Sequence, residues 1–359
     1  MPRLLNIVLA TTSLAGLTGL AIAQNAATPA PAAKSEKPWV APGTPGSPID
    51  GTLFHAQVLM SAHGFSPGAI DGKKGESFRL ALTSFQEARG LTESGELDPA
   101  TRRALIEVDR PSTVMVKLGP DDVGGRFVNP FPDEPEAQAE LSFLGYRNML
   151  EKLAERYHTT PRTIVALNGP DKMIGMGQTL RLPNVVPASR DYAGTPGNGG
   201  TVMRLLNVDP TQPQGDYVVV DKSDGVMKVY RGELPAEGDE SGEGQLVAAF
   251  PVTMGSKQYP LPIGRWKVTT YAFLPPFNYQ PKLLNNPKSD RDLKLPPGPN
   301  GPVGVAWLDL TKEHYGIHGT NEPQTIGRAE SSGCIRMANW DVMRLSRMMK
   351  PGFTAIFQG

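Results

Sequence analysis

The chain has 359 residues, of which 39% are hydrophobic, and its 36 basic side chains balance its 36 acidic ones. This length allows two or three folded domains with packed cores. The balanced charge gives no electrostatic support for binding to nucleic acid or to anionic lipid. With a single cysteine, the chain forms no internal disulfide.

The first residues, "MPRLLNIVLATTSLAGLTGLAIAQ", have the features of an export signal. A basic start at Arg3 precedes an apolar stretch, and Ala21 and Ala23 form an A-x-A pattern before Gln24. We therefore predict a signal peptide over residues 1–23 and export to a bacterial periplasm. An uncleaved anchor is the alternative, but Thr and Gly interrupt the apolar run. No other segment approaches membrane-spanning length, so no stable membrane insertion is expected.

Stretches rich in Pro, Gly and small residues predict the boundaries between domains. Residues 24–48, "QNAATPAPAAKSEKPWVAPGTPGSP", bury too little apolar surface to fold and are predicted to form a linker. A second linker is predicted over residues 186–215, which include "VPASRDYAGTPGNGG". A third is predicted over residues 109–137, which include "FVNPFPDEPEAQ".

Residues 49–108 are predicted to form a small module of three short helices. Asp98 is a predicted helix cap, with Pro99 at the first helical position. Apolar residues recur at helical spacing at Phe78, Ala81, Leu82 and Phe85. The segment resembles the peptidoglycan-binding three-helix module in "GFSPGAIDGKKG", "FQEARGL" and "GELDPATRRAL". That resemblance implies cell-wall binding.

Residues 138–185 are predicted to form a second compact unit, of α+β type. A helix, a restart at Thr160-Pro161 and a second helix precede a turn and a strand. The unit resembles a LysM module in "LAERYHTT" and "GQTLRLP", which implies glycan binding. Its opening strand, usually Tyr-x-Val-x-x-Gly-Asp, is degraded to "AELSFLGYRN", so a purely structural spacer is the alternative.

From residue 216 to residue 359 the pattern is that of a mostly-β domain. Two β-rich runs flank Asp224-Gly225 in "YVVVDKSDGVMKVY", which predicts a hairpin. Further strand-like runs follow, and one short helix with Asn339 as its cap interrupts them. We predict a β-sandwich or barrel-like domain. The Pro-rich insertion over residues 273–302 is too long for a simple hairpin connection.

Cys334 and His318 are the candidates for chemistry in this domain. Cys334 follows Ser331, Ser332 and Gly333 in a loop, and His318 ends a predicted strand. A cysteine nucleophile needs a base or a positive neighbour to supply the thiolate. Successive backbone N–H groups in Ser-Ser-Gly-Cys would suit an oxyanion. A buried, inert thiol and a metal site remain as alternatives from the residue types alone.

These residues lie in motifs that resemble the L,D-transpeptidase (YkuD-type) catalytic domain. The resemblance spans most of residues 216–359 and is carried by "VTMGSKQYPLPIGRWKV", "LPPGPNGPVGVAWLDL", "YGIHGT" and "SSGCIRM". It implies that Cys334 is the nucleophile, that His318 is the base and that Arg336 completes the motif. It also implies that the carbonyl of Gly319 orients the histidine, a role that a carboxylate has in other triads.

The same resemblance assigns oxyanion-hole N–H groups to Ser332, Gly333 and Cys334. Two positions depart from the family pattern. Ser332 stands where histidine is common, and Leu261-Pro262 with Ile263 replaces the usual Thr-Pro before the hairpin glycine. Because the expected role of Ser332 uses its backbone, we expect the chemistry to be retained and the substrate packing to differ.

The resemblance implies acyl transfer between peptidoglycan stem peptides. Cys334 would attack the carbonyl at the L-centre of diaminopimelate in a tetrapeptide stem, release D-Ala and form a thioester, with no metal or organic cofactor. An amine would then resolve the thioester, either to form a 3→3 cross-link or to attach an envelope protein. Use of water, as in an L,D-carboxypeptidase or endopeptidase, and a non-catalytic peptidoglycan-binding protein are the alternatives.

Overall fold

The computed structural model describes part of the predicted linker over residues 24–48 and almost all of the chain that follows it. The described residues are 40, 41, 44 and 47–359, apart from 239–243, 285, 328–330 and 332. The predicted signal peptide over residues 1–23 and most of the predicted linker over 24–48 lie outside the described residues. No helix in the described part is long and apolar enough to cross a membrane.

The first folded part of the chain is the predicted module of three helices. Its helices are α1 (Gly51–His63), α2 (Glu76–Ala88) and α3 (Pro99–Leu105). Asp98 accepts a hydrogen bond from the Thr101 N–H (2.8 Å), and Pro99 occupies the first turn of α3, where its missing N–H leaves no helical bond unmade. The prediction of a small module of three helices is confirmed.

The next part of the chain, residues 113–185, is named here the second module. Its elements are β1 (Thr113–Lys117), α4 (Pro120–Val123), α5 (Pro135–Ala139), α6 (Met149–Arg156), α7 (Pro161–Asn168) and β2 (Thr179–Pro183). β1 pairs antiparallel with β2, from Thr113 opposite Pro183 to Lys117 opposite Thr179. The prediction of a linker over residues 109–137 is therefore wrong, because "TVMVK" is the opening strand of the module. The predicted boundary at residue 138 falls inside it.

Residues 186–215, also predicted as a linker, contain helix α8 (Gly199–Leu205). Val202, Met203 and Leu206 of this segment are fully buried in the main hydrophobic core of the mostly-β domain. The spacing of these three residues presents one apolar stripe to the core. This prediction is also corrected, since the segment is packed rather than extended.

The rest of the chain is built mainly of strands. In chain order the elements are β3 (Tyr217–Asp221), β4 (Val226–Arg231), β5 (Gln245–Pro251), β6 (Thr253–Met254), β7 (Gly264–Phe273), β8 (Phe277–Tyr279), β9 (Leu293–Leu295), β10 (Ala306–Leu310), β11 (Gly316–His318), β12 (Ile335–Arg336), α9 (Asn339–Met348) and β13 (Thr354–Gln358). Short 3₁₀ turns lie at Pro281–Leu283 and Pro323–Thr325. The predicted hairpin is β3 and β4, which meet at Gly225 in a left-handed backbone conformation.

The described strands include a nine-stranded sheet in the order β5-β4-β3-β13-β7-β10-β11-β12-β6. Its two edge strands, β5 and β6, are separated in sequence by Val252 alone. Because one residue spans only about 3.5 Å, the sheet must curl until its edges approach each other. The long strand β7 lies in the middle of the sheet. It pairs with β13 through Gly264–Lys267 and with β10 through its later residues. The prediction of a barrel-like, mostly-β domain is confirmed.

Helix α9 closes the curled sheet, and its first residue departs from the sequence prediction. Trp340, Val342 and Leu345 are buried in the main core, as the helical spacing indicates. Asn339 is not the N-cap, which is Ala338, and its side chain makes no capping hydrogen bond to the helix. The Asn339 amide lies instead between the catalytic domain and the second module, as described below.

The helical module packs on the outer face of the sheet. Side chains alternate along β3, so that Val218 and Val220 enter the main core while Tyr217 and Val219 contact the helices. The second core therefore contains residues of both parts, among them Phe85 of α2. The interface also has polar contacts: Lys228 forms an ion pair with Glu87 (2.7 Å).

The insertion over residues 273–302 packs against the second module. Its hairpin, β8 with β9, forms a small apolar cluster with Leu144. The Leu144 N–H donates to the Pro297 carbonyl (2.8 Å), and the Asn300 N–H donates to the Leu144 carbonyl (3.0 Å). Residues 140–148, within the segment "AELSFLGYRN", form no strand, and Leu144 bonds to the backbone of this insertion instead.

We predict that the helical module and the sheet unfold together. Phe85→Ala removes a fully buried ring from their shared core, so it should lower stability by about 3–5 kcal/mol and shift one common thermal transition. Differential scanning calorimetry of the purified protein measures this shift. Ile106→Ala, at a side chain that is 62% exposed, is the control and should leave the transition in place. Two transitions, only one of them moved by Phe85→Ala, would contradict the prediction.

Candidate active site

The candidate site is set by two short parallel strands, β11 and β12. Ile317 pairs with Ile335, and His318 pairs with Arg336. Alternate side chains of a strand point to opposite faces, so the two isoleucines enter the core while His318 and Arg336 share the other face. Cys334 immediately precedes β12, two positions from Arg336, and therefore lies on that same face. The structure thus brings together the three side chains that the sequence singled out.

The orientation of His318 is fixed by two contacts. Its Nδ1 lies 2.7 Å from the Gly319 carbonyl oxygen, and its ring stacks on Trp307 with centroids 5.2 Å apart. A carbonyl can only accept, so Nδ1 carries the proton and the neutral ring keeps a free lone pair on Nε2. This tautomer is the one that a general base requires. Gly319 therefore has the orienting position that the family resemblance predicted.

The resting site holds a neutral imidazole. Burial, with a smaller contribution from the positive charge of Arg336, lowers the pKa of His318 to about 3, although the Gly319 carbonyl acts in the opposite direction. An imidazole with this pKa is uncharged throughout the physiological range and is available to accept a proton.

Cys334 is held as a thiol at the start of β12. Its side chain is partly accessible, and its S–H points to the His314 carbonyl oxygen, 3.7 Å from the sulfur. Burial raises the pKa of the thiol above its ordinary value, while the Gly316 backbone and the charge of Arg336 act to lower it. At neutral pH the group is therefore a thiol, whose proton must be removed before the sulfur can attack.

The loop before Cys334 is braced by Ser331, which is buried. Its hydroxyl donates to the Cys334 carbonyl (2.7 Å) and accepts from the Gly333 N–H (3.2 Å). Gly333 has φ +100°, and a Cβ there would lie 2.5 Å from the Tyr315 ring. Ser332 lies outside the described residues. The oxyanion roles assigned to Ser332, Gly333 and Cys334 stay predictions, and in this conformation the Gly333 N–H is used by Ser331.

Arg336 supplies the positive charge of the site. Burial lowers the pKa of its guanidinium, whereas the negative charges of Cys334, when ionised, and Glu322 act to raise it. A guanidinium beside a cysteine can stabilise a thiolate or bind a carboxylate. Both roles use its position on the face that it shares with Cys334.

Three contributors were missed by sequence reasoning. The His314 carbonyl and the Asn339 amide leave no mark in the pattern of side chains. Ser331 does have a local signal, since serine hydroxyls commonly bond to the N–H two residues on. His158, by contrast, is a packing residue, since it is buried and stacks on Trp340. In the part of the chain that the structure describes, no three His, Cys, Asp or Glu side chains are grouped to hold a metal ion.

Comparison with known families supports the division into modules. Residues 215–357 match the family described as "YkuD: L,D-transpeptidase catalytic domain", and residues 54–105 match the family described as "Putative peptidoglycan binding domain". The first match contains Cys334, His318 and Arg336, and the second contains α1 to α3. The chain therefore carries an L,D-transpeptidase catalytic domain preceded by a peptidoglycan-binding domain.

Individual relatives are similar over shorter stretches. The chain is 57% identical over 56 residues to the "Putative L,D-transpeptidase YkuD" of Bacillus licheniformis, which is 16% of this chain and 34% of that protein. It is 29% identical over 160 residues to the "Putative L,D-transpeptidase YqjB" of Bacillus subtilis, 41% of this chain and 78% of that protein. The match thus spans about a third of the first relative.

Among solved structures, one match is to the L,D-transpeptidase from Xylanimonas cellulosilytica. The comparison gives a TM-score of 0.35 at 14% identity and covers 90% of this chain and 100% of that chain.

We predict that alkylation of Cys334 rises with pH through a single step above the ordinary pKa of a thiol. His318 stays neutral until the pH approaches about 3, so no step should occur near pH 6.5, where an unperturbed histidine titrates. The rate of reaction with iodoacetamide, followed by mass spectrometry, measures this profile at the only cysteine. A rate that is constant from pH 5 to pH 8 would indicate a thiolate–imidazolium pair and contradict the prediction.

We also predict that Gly333→Ala slows alkylation of Cys334, whereas Gly352→Ala does not. Both glycines have φ +100°, so both substitutions carry the penalty of a left-handed backbone, about 1–2 kcal/mol. Only the methyl group at residue 333 would meet a neighbour, because no atom lies within 4 Å of a Cβ at residue 352. Equal alkylation rates in the two variants would show that the Tyr315 contact does not shape the cysteine loop.

Proposed function

We propose that the protein is a periplasmic L,D-transpeptidase that uses Cys334 to transfer acyl groups between peptidoglycan stem peptides. The single observation that carries the proposal is the shared face of β11 and β12. That face holds a thiol, a neutral imidazole with its lone pair on Nε2, and a guanidinium. The match of residues 215–357 to the L,D-transpeptidase catalytic domain supports the same reaction.

In the first half of the reaction, His318 Nε2 accepts the thiol proton and Cys334 Sγ attacks a carbonyl carbon. The proposed substrate carbonyl is that of the L-centre of diaminopimelate in a tetrapeptide stem. An S–C bond forms and the C–N bond to the terminal D-Ala breaks. The same imidazolium returns its proton to the departing amine, so the products are a thioester on Cys334 and free D-Ala.

In the second half, an acceptor amine attacks the thioester and His318 again accepts a proton. The new C–N bond forms, the C–S bond breaks, and the sulfur recovers its proton from the imidazolium. A diaminopimelate amine as acceptor gives a cross-link between stems, and a protein amine attaches an envelope protein. Both steps use the Gly319 carbonyl to hold Nδ1, because it stabilises each transient imidazolium.

The proposed setting follows from the rest of the chain. The peptidoglycan-binding domain over residues 54–105 would place the enzyme on its polymer. The sequence of residues 1–23 supports export to the periplasm, where that polymer is located. The second module resembles a glycan-binding unit in sequence and would contact the glycan as well.

We predict that the protein converts tetrapeptide muropeptides containing diaminopimelate into cross-linked dimers with loss of one D-Ala per bond formed. Cys334→Ala should abolish both the dimer and the acyl-enzyme, because no other side chain on this face can form the thioester. His318→Gln should reduce the rate by about 10²–10⁴-fold through loss of the base. Mass spectrometry of the reaction mixture and of the protein measures both species.

The control is His55→Gln, a histidine of the helical module whose Nε2 is bonded to the Arg110 carbonyl, which should retain full activity. Tripeptide without dimer would identify water as the acceptor and indicate an L,D-carboxypeptidase. Unmodified muropeptides with no acyl-enzyme would contradict the proposal and favour a non-catalytic wall-binding protein.

A further inference from the structure

The second module reaches the back of the active site through one buried carboxyl group. Glu155, in α6, is almost fully buried and accepts hydrogen bonds at both oxygens from Asn339 Nδ2 (3.0 and 3.1 Å). Tyr146 donates a further bond to it through its hydroxyl (3.0 Å). Asn339 is the first residue of α9 and belongs to the catalytic domain. The contact therefore joins two parts of the chain that are 184 residues apart.

The other side of the Asn339 amide lies on the backbone that surrounds His318. Its Oδ1 accepts from the Val305 N–H (3.1 Å). A Cβ at Gly304 would lie 2.0 Å from this oxygen, and one at Gly319 would lie 2.2 Å from it. Only glycine at these two positions lets the amide lie so close to the main chain.

This backbone holds the imidazole from two directions. Gly319 supplies the carbonyl that accepts from His318 Nδ1, and its N–H donates to the Ala306 carbonyl (3.1 Å). Val305 and Ala306 lead directly into Trp307, whose ring stacks on the imidazole. A shift of the Asn339 amide would therefore move both the hydrogen-bond acceptor and the stacking partner of the base.

Glu155 decides which way the amide points. An asparagine amide can be turned by 180° with little change of shape, so its orientation follows from its partners. The Val305 N–H requires an oxygen on one side, and the two oxygens of the Glu155 carboxyl group accept from the NH₂ group on the other. Burial raises the pKa of Glu155 to about 8, and the hydrogen bonds from Asn339 and Tyr146 act in the opposite direction. Without Glu155, the buried NH₂ group keeps only the Pro299 carbonyl (3.3 Å) as acceptor.

We propose that Glu155 is a positioning residue for the base, so that the second module completes the active site from behind in addition to any contact with glycan. The inference rests on the proposed function in that His318 is taken as the base. It gives the module a role that a spacer or a sugar-binding unit would not have. Removal of the carboxylate should disturb His318 although Glu155 does not touch it.

The test uses the purified protein and two readouts that do not require transpeptidation. The first is the rate of alkylation of Cys334 by iodoacetamide. The second is the ¹⁵N spectrum of labelled histidine, which shows which ring nitrogen carries the proton. Glu155→Ala should slow alkylation about tenfold or more and reduce the Nδ1–H form of His318. In assays with muropeptides it should lower kcat with KM little changed.

Two substitutions, made singly and together, distinguish a positioning role of Glu155 from a general loss of folding. Asn339→Asp should be impaired, because it replaces the donating NH₂ group with an oxygen and places two carboxyl groups against each other in a buried site. Combined with Glu155→Gln, it should recover alkylation and the tautomer, because the introduced glutamine can donate to the introduced aspartate, which still accepts from the Val305 N–H. Recovery in E155Q/N339D beyond the sum of the single effects would establish the coupling.

Glu87→Ala is the matched control, since Glu87 also joins an N-terminal module to the sheet, through Lys228 and the Tyr230 hydroxyl (2.7 and 3.3 Å). It should leave the tautomer of His318 and the alkylation rate unchanged.

A folded Glu155→Ala variant with the same tautomer and rate as the parent would overturn the inference, as would failure of E155Q/N339D to recover either. Absence of transpeptidation in the parent would count against the proposed function alone, because both readouts would still decide the role of Glu155.

Discussion

The parallel pairing of β11 with β12 is the constraint on which the rest of the site depends, because it decides which side chains face the reaction. In the observed register, Ile317 and Ile335 are buried in the core, and the chemical side chains lie on the opposite face. A shift of one residue would reverse the faces of one strand and bury an arginine in place of an isoleucine. So short a pairing is weak by itself. It is supported by β6 on the far side of β12 and by the Met337 N–H, which donates to the His318 carbonyl (2.9 Å).

Helix α9 extends this arrangement to the other modules, because its first turns supply contacts to both of them. Ser66 of the helical module donates to Asp341 (2.8 Å), and His158 of the second module stacks on Trp340. Burial raises the pKa of Asp341 to about 6, and Arg344 and the Ser66 hydroxyl act in the opposite direction. A carboxylate in such surroundings needs partners from more than one element. Both modules therefore supply buried contacts to helix α9 and are packed against the catalytic domain.

The parts of the fold that sequence reasoning predicted correctly are those with local causes. The hairpin of β3 and β4 follows from a turn pair between β-rich runs, and α3 from Asp98 followed by proline. The strand β1 was missed because its partner, β2, is more than sixty residues away and because a Pro-rich segment follows it. The same distinction holds for the site. Cys334 and His318 could be named from residue type, whereas the contact of Asn339 with Glu155 depends on tertiary packing that no local pattern encodes.

The core shared by the helical module and the sheet affects how a cell-wall polymer would approach Cys334. A binding domain on a flexible linker raises the effective concentration of its target but leaves the orientation free. Here the peptidoglycan-binding domain is packed on the outer face of the sheet through Phe85 and its neighbours, so its position relative to Cys334 is fixed by an apolar interface. A polymer bound to it would be presented to the thiol at one distance and in one direction. Orientation of this kind lowers the entropic part of a barrier as well as raising concentration. The rigid packing of the helical module and the Asn339 contact behind His318 are thus alike, since in both cases an N-terminal module restricts the geometry of the candidate site.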